Sequence, residues 1–236
     1  MSISLKRAGA IFVKDYKEFS RNYAISIILI FPIMFAVLFR IVGSSLPGAF
    51  GLVLNTSFVI LTSMAQACLI AEEKERNTLR SLMMTPATTM DVLFGKSALV
   101  FVMSAVTLAM ATYIFGYEPV SIWAFVAAIL LSIILYIAAG TICGLFSKTL
   151  LDASLSIIPV AFIFTGAPGG AVLADDYPIF KVLEYFPSSQ LVHLLGIPHM
   201  GYMTGDLLRP ILIILAWTVG LTIVSIVLYQ RRLKDE

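Results

Sequence analysis

The chain has 236 residues, of which 59% are hydrophobic and 13% charged, with a mean hydropathy of +0.96. Soluble domains carry about 25% charged residues, so an ordinary water-soluble globule is excluded. The net charge of +2 is not pooled in one basic segment, which gives no footing for nucleic acid.

The first predicted element is an amphipathic helix over residues 1–22. Leu5, Ala8, Phe12, Tyr16 and Phe19 are spaced 3, 4, 4 and 3, one helical face, with lysines and Arg21 opposite. Such a helix lies in the plane of the lipid headgroups and does not cross the bilayer. Six apolar spans follow, at about Tyr23–Val42, Ala49–Ala71, Ser97–Phe115, Val120–Phe146, Leu150–Gly166 and Ile211–Tyr229. Crossing the hydrocarbon core takes roughly 20 residues. The first span is not read as a cleaved signal: its apolar run exceeds the usual length of roughly 7–15 residues and no A-x-A-like site follows. Pro32 and Pro159 predict kinks inside the first and fifth spans. Residues 167–208 form the one long outer connection, too apolar for a solvated loop. It is expected to cap the bundle or dip into the outer leaflet, with two short helical stretches, one placing Ile179, Leu183 and Phe186 on one stripe and one N-capped by Ser188 and stopped by Gly196.

Lysine and arginine placement orients the spans. The N-terminus, residues 72–96, Lys148 and the C-terminus carry thirteen of the sixteen basic residues, and six spans put all thirteen on one side. That side is expected to be cytoplasmic, with both termini.

Between the second and third spans lies "AEEKERNTLRSLMMTP", Ala71 to Pro86, which holds six of the thirty charged residues. The second span is predicted to run on as a helix to Arg76, and Asn77 tolerates the left-handed turn that ends helices. Thr78 is a good N-cap for a short helix with Leu79, Leu82 and Met83 on one face. Thr85-Pro86 restarts the chain, and Thr88 with Asp91 makes a capping-box-like pair before the third span. An apolar face exposed on so short a helix normally needs a partner.

"EKERNTLRSLMMTP" resembles the signature loop of the ABC type-2 export permeases, in which an E-K-E-R-x-T-L-x-x-L-x-x-T-P pattern links the second and third spans. Glu73, Lys74, Glu75, Arg76, Thr78, Leu79, Leu82, Thr85 and Pro86 match; Asn77 stands where the family usually has glycine. The amphipathic N-terminal helix, the six spans and the semi-helical outer segment extend the resemblance over nearly the whole chain. It implies an all-α polytopic fold, a single permease domain over residues 1–236, in the cell membrane of a bacterium. It also implies that the short helix is a coupling helix docking on a separate cytoplasmic ABC ATPase. Glu73, Glu75, Arg76, Thr78, Leu79, Arg80, Leu82, Met83, Thr85 and Pro86 would form that contact. A second permease copy, identical or not, completes the unit with surrounding lipid. ATP and Mg would be bound by the partner, and no cofactor or catalytic site is expected in this chain. The cargo would be hydrophobic or amphipathic: a drug, an antimicrobial peptide or a lipid-linked molecule. The alternative is an ion- or proton-driven secondary carrier, which is expected to bury charge at mid-membrane.

Along the second span Asn55, Thr62, Gln66 and Glu73 are spaced 7, 4 and 7, a polar stripe running toward the insert. It reads either as hydrogen bonding between helices or as the lining of the export path or dimer seam. Gly140 and Gly144 form a small-xxx-small pair suited to close helix packing, and Asp152 complements the start of the fifth span. "FGKS" at Phe94–Ser97 lacks the earlier glycine of a phosphate-binding loop, because that position is Met90. His193 and His199 do not have a recognised zinc-ligand spacing, and Cys68 and Cys143 read as small core residues.

Overall fold

The computed structural model of the chain describes residues 5–21, 27–42, 48–75, 88–174, 176–198 and 200–235. Among these, α1 covers Leu5–Arg21, and a single turn at Ile27–Leu29 leads into α2, Ile30–Val42. The long helices are α3 (Ala49–Glu75), α4 (Thr89–Phe115), α5 (Ile122–Phe146) and α6 (Leu150–Ala171). Two short helices, α7 (Lys181–Glu184) and α8 (Pro187–Leu195), precede α9 (Thr204–Asp235). No strand occurs among the described residues.

Local chemistry sets several of these boundaries. Asp91 N donates to Thr88 Oγ1 at 3.2 Å and Thr88 N to Asp91 Oδ2 at 2.9 Å, the reciprocal capping box that starts α4. Gly116 ends that helix in the left-handed conformation, at φ 80°. Thr149 caps α6 by accepting from Asp152 N at 3.1 Å, and the Asp152 carboxylate sits in the helix's first turn.

Among the described residues five helices are long and apolar enough to cross a membrane: α3, α4, α5, α6 and α9. The first expected span, Tyr23–Val42, corresponds to a shorter apolar helical stretch, Ile27–Val42, while residues 22–26 lie outside the described set. The fifth span departs from expectation in the other direction. Its helix does not stop at Gly166 but runs through Pro168 and two glycines to Ala171. Apolar surroundings leave the backbone no better hydrogen-bond partner than itself, so residues that break helices in water are carried here.

α3 is the central helix: 83% of its most apolar stretch is buried, against 22% for α6 and for α9. Its neighbour α5 comes close because two glycines let it. A Cβ at Gly140 would stand 2.3 Å from Ser63 O, and one at Gly144 2.8 Å from Ala67 O. The small-xxx-small pair thus packs backbone on backbone. Beside it α3 widens into a π-helical stretch, Phe58–Ser63, and Phe58 stacks on Tyr136 with ring centroids 5.1 Å apart.

The long connection caps one end of the bundle. Leu191, Leu194 and Ile197 are buried in the main core, and Tyr117 Oη donates to Leu195 O at 3.0 Å. α8 begins at Pro187, one residue before the expected N-cap Ser188, and ends at Gly196. On the outside, Phe162, Leu212 and Ile223 are exposed. Such faces are a liability in water and ordinary against lipid.

Candidate functional site: the charged end of the bundle

The expected coupling loop falls mostly outside the described residues. Arg76, Thr78, Leu79, Arg80, Leu82, Met83, Thr85 and Pro86 all lie in the segment 76–87. What the structure does place are the two ends from which the loop hangs, the last turn of α3 and the capped start of α4.

The last turn of α3 grips the rest of the bundle with three consecutive side chains. Glu73 is 4% exposed, and its carboxylate is turned inward, 3.0 Å from Lys96 Nζ and 3.4 Å from Lys14 Nζ. Lys74 Nζ donates to Leu145 O, near the C-terminal end of α5. Glu75 Oε2 accepts from Leu150 N at 2.8 Å, at the start of α6. Glu73, one of the residues expected in the contact with a partner ATPase, is thus an internal link, while Glu75 is exposed yet tied to α6.

Lys96 is the hub. It lies in the second turn of α4, 1% exposed, and its ammonium donates to Leu69 O at 3.1 Å and pairs with Asp15 at 3.3 Å as well as with Glu73. Asp15 comes from α1, and Lys14 beside it contacts both carboxylates. Two cations and two carboxylates from three helices thus form a neutral cluster, which is what a buried charge requires. Burial alone would lower the Lys14 pKa. Glu73, Asp15 and Glu18 outweigh it, holding the ammonium above its ordinary 10.5.

α1 reaches this cluster by docking on α4. A Cβ at Gly95 would sit 2.8 Å from Ala8 O, so only glycine permits the approach. A second pair, Arg7 Nε with the fully buried Asp91 at 2.9 Å, joins the same two helices. The buried face of α1 is Ala8, Ile11, Asp15 and Phe19, with Tyr16 exposed at 55%. This differs from the expected face through Phe12 and Tyr16. The docking face follows the ion pairs and Gly95 rather than the most apolar stripe.

The polar stripe of α3 is buried inside the chain. Asn55 Nδ2 donates to Ser188 O at 3.3 Å, and Thr62 Oγ1 shares a hydrogen bond with Ser104 Oγ at 2.9 Å. Gln66 Nε2 reaches Thr141 Oγ1 at 3.1 Å and Ser97 Oγ at 3.4 Å. These contacts tie α3 to α8, α4 and α5, and they are bonds between helices of one chain. His193 is placed on α8; His199 lies outside the described residues.

Asp15 and Lys96 did not stand out in the sequence as site residues. Lys96 counted only toward orientation, inside a phosphate-loop look-alike, and Asp15 sat off the apolar stripe. The usable signal was the lone lysine flanked by apolar turns of a span, which needs a carboxylate from elsewhere.

A helical bundle whose outer faces suit lipid and whose ionic links gather at one end defines a polytopic membrane protein. Residues 10–228 match the family model described as "ABC-2 family transporter protein", and the chain belongs to that family. It is a membrane component of a transporter. No curated protein matched the chain in sequence.

Proposed function

We propose that the chain is the permease subunit of an ATP-driven exporter, with six spans, both termini and the segment 72–96 in the cytoplasm, and a second permease copy completing the unit. A separate ABC ATPase supplies ATP hydrolysis and binds ATP and Mg. It docks on the loop through Leu79, Leu82 and Met83, with Arg76, Arg80 and Glu75 at the rim and Thr78, Thr85 and Pro86 shaping the turns. The cargo is hydrophobic or amphipathic and leaves the inner side of a cell membrane.

The observation that carries this reading is the anchoring of the loop's root. Glu73, Lys74 and Glu75 connect the last turn before the loop to α1, α4, α5 and α6. A displacement applied to the loop would therefore reach four other helices at once, the mechanical requirement for driving spans from a soluble motor.

The test is Leu79→Ala combined with Leu82→Ala. A few apolar anchors carry most of the affinity in a protein contact, about 1–2 kcal/mol or more each. The double variant should insert normally, lose the ATPase in pull-downs from membranes and stop exporting. Arg80→Ala, a screened rim charge, should lose far less. Full ATPase retention by a correctly inserted double variant would overturn the assignment.

A further inference from the structure

At the capped end of the bundle α6, α7, α8 and α9 meet around a cavity of ≈ 210 Å³. Ala171 ends α6 there and Glu184 ends α7; Ser189, Gln190 and His193 come from α8, and Arg209 from the second turn of α9. Five of these six residues are polar. The walls are pinned to one another, because Gln190 Nε2 donates to Glu184 O at 2.6 Å and Trp217 Nε1 to Tyr185 O at 2.9 Å.

The charged groups around this cavity do not satisfy each other. Glu184 and Arg209 have opposite charges, yet they stand beyond ion-pair distance. The Glu184 carboxylate, the His193 ring and the Arg209 guanidinium make no hydrogen bond or ion pair among the described residues. Arg209 belongs to a helix long enough to span, where a cation calls for a counter-charge. Gln190 is 8% exposed and its amide nitrogen is committed to Glu184 O, so its orientation is fixed. Its Oε1 accepts nothing among the described residues and, unlike the Ser189 hydroxyl, is not sealed from outside. Apolar side chains flank two of the walls: Leu208 and Leu212 beside Arg209, and Val172 beside Ala171, all exposed.

We propose that this cavity seats the headgroup of a phospholipid that carries a primary ammonium, that is, a phosphoethanolamine. Its phosphate pairs with Arg209, whose planar fork matches phosphate oxygens, with the His193 ring beside it. Its ammonium donates to the Glu184 carboxylate and to Gln190 Oε1. The separated opposite charges select a zwitterion, and Glu184 repels a headgroup of net negative charge. Choline has no N–H to donate, so the two acceptors discriminate against it. The volume is below the roughly 300–1,000 Å³ of drug-sized sites and suits a headgroup, with the acyl chains outside along Leu208, Leu212 and Val172. That the leaflet is the outer one rests on the orientation proposed above; binding itself needs no ATPase.

The test is native mass spectrometry of the detergent-purified full chain, titrated with phosphatidylethanolamine, phosphatidylcholine and phosphatidylglycerol of identical acyl chains. One phosphatidylethanolamine should be retained about fivefold or more tightly than either other lipid. Glu184→Gln should erase the preference over phosphatidylcholine, and Arg209→Gln should weaken both zwitterionic lipids. Both side chains are exposed, so melting temperatures should hold; if one variant unfolds, the other decides. Equal retention of the three lipids, tighter phosphatidylglycerol, or an unchanged preference in Glu184→Gln would identify ordinary annular lipid and overturn the site. Free phosphoethanolamine should compete only weakly; displacement at a concentration equal to the lipid's would overturn the lipid in favour of a soluble zwitterion. Loss of ATPase binding in the loop variant leaves these readouts untouched, so the two readings fail separately.

Discussion

At Lys96 a single ammonium, 1% exposed, satisfies two carboxylates and a helix carbonyl that belong to two other helices, α1 and α3. Removing one partner from a buried ionic cluster is costly because the others stay buried with their charge. Lys96→Met should destabilise the detergent-purified protein by about 3–5 kcal/mol, read as a large fall in melting temperature. Adding Asp15→Asn and Glu73→Gln should restore much of that loss, since the neutral set has no stranded charge. A melting temperature unchanged in Lys96→Met would show that the ion pairs are incidental. Lys14 contributes differently, being more than a third exposed. Its folded pKa is raised, so its contribution is complete below the ordinary 10.5 and is lost only as pH climbs through the higher folded value. Neutral and mildly alkaline buffers therefore leave it intact. The sequence disclosed this cluster only in part. Glu73 was visible as the end of a polar stripe, whereas Asp15 and Lys96 acquire meaning only when α1 folds back onto α4, a contact between segments about eighty positions apart.

Helix identity was the most legible level. Apolar length marked the spans, Thr88 with Asp91 marked the start of α4, and Gly140 with Gly144 marked the tight crossing of α5 on α3. Less legible was where α6 ends, because the turn chemistry of "GAPGG" holds in water and fails where only the helix can satisfy the backbone. The side of α1 that docks on α4 was not legible either: the apolar stripe through Phe12 and Tyr16 was read as facing lipid, whereas the docking side is set by Asp15 and by the close approach at Gly95. Packing of α5 on α3 yields a sharp contrast. Gly140→Ala would push a methyl against the Ser63 backbone, which cannot swing away as a side chain would, and should cost about 1–3 kcal/mol. Gly220→Ala on α9 meets nothing within 4 Å and should be neutral or slightly stabilising. Unfolding of both variants in the same detergent checks the pair; equal stabilities would contradict the close backbone approach.

On the scale of the whole molecule, the question is how force at the loop becomes movement in the spans. The segment 76–87 hangs from one helix end and one capped helix start, and its route inward is the turn Glu73–Glu75. Glu73 leads to α1 and α4 through an ionic cluster, Lys74 to the end of α5, and Glu75 to the first residue of α6. The links differ in kind. Those of Glu73 are buried and hold the fold together, so their loss confounds stability with coupling. Glu75 is exposed, and the Leu150 amide it accepts from lies at a helix start, where water can replace a side-chain acceptor. Glu75→Ala should therefore change stability by less than about 1 kcal/mol while loosening α6 from the loop. If the proposed exporter works through this root, the variant should keep its ATPase in pull-downs and hydrolyse ATP, yet export less cargo per ATP. Leu79→Ala with Leu82→Ala should instead lose the ATPase altogether. The decisive measurement is the ratio of export to hydrolysis in proteoliposomes holding equal amounts of assembled complex. An unchanged ratio for Glu75→Ala would remove α6 from the path of transmission and leave α1, α4 and α5 to carry it.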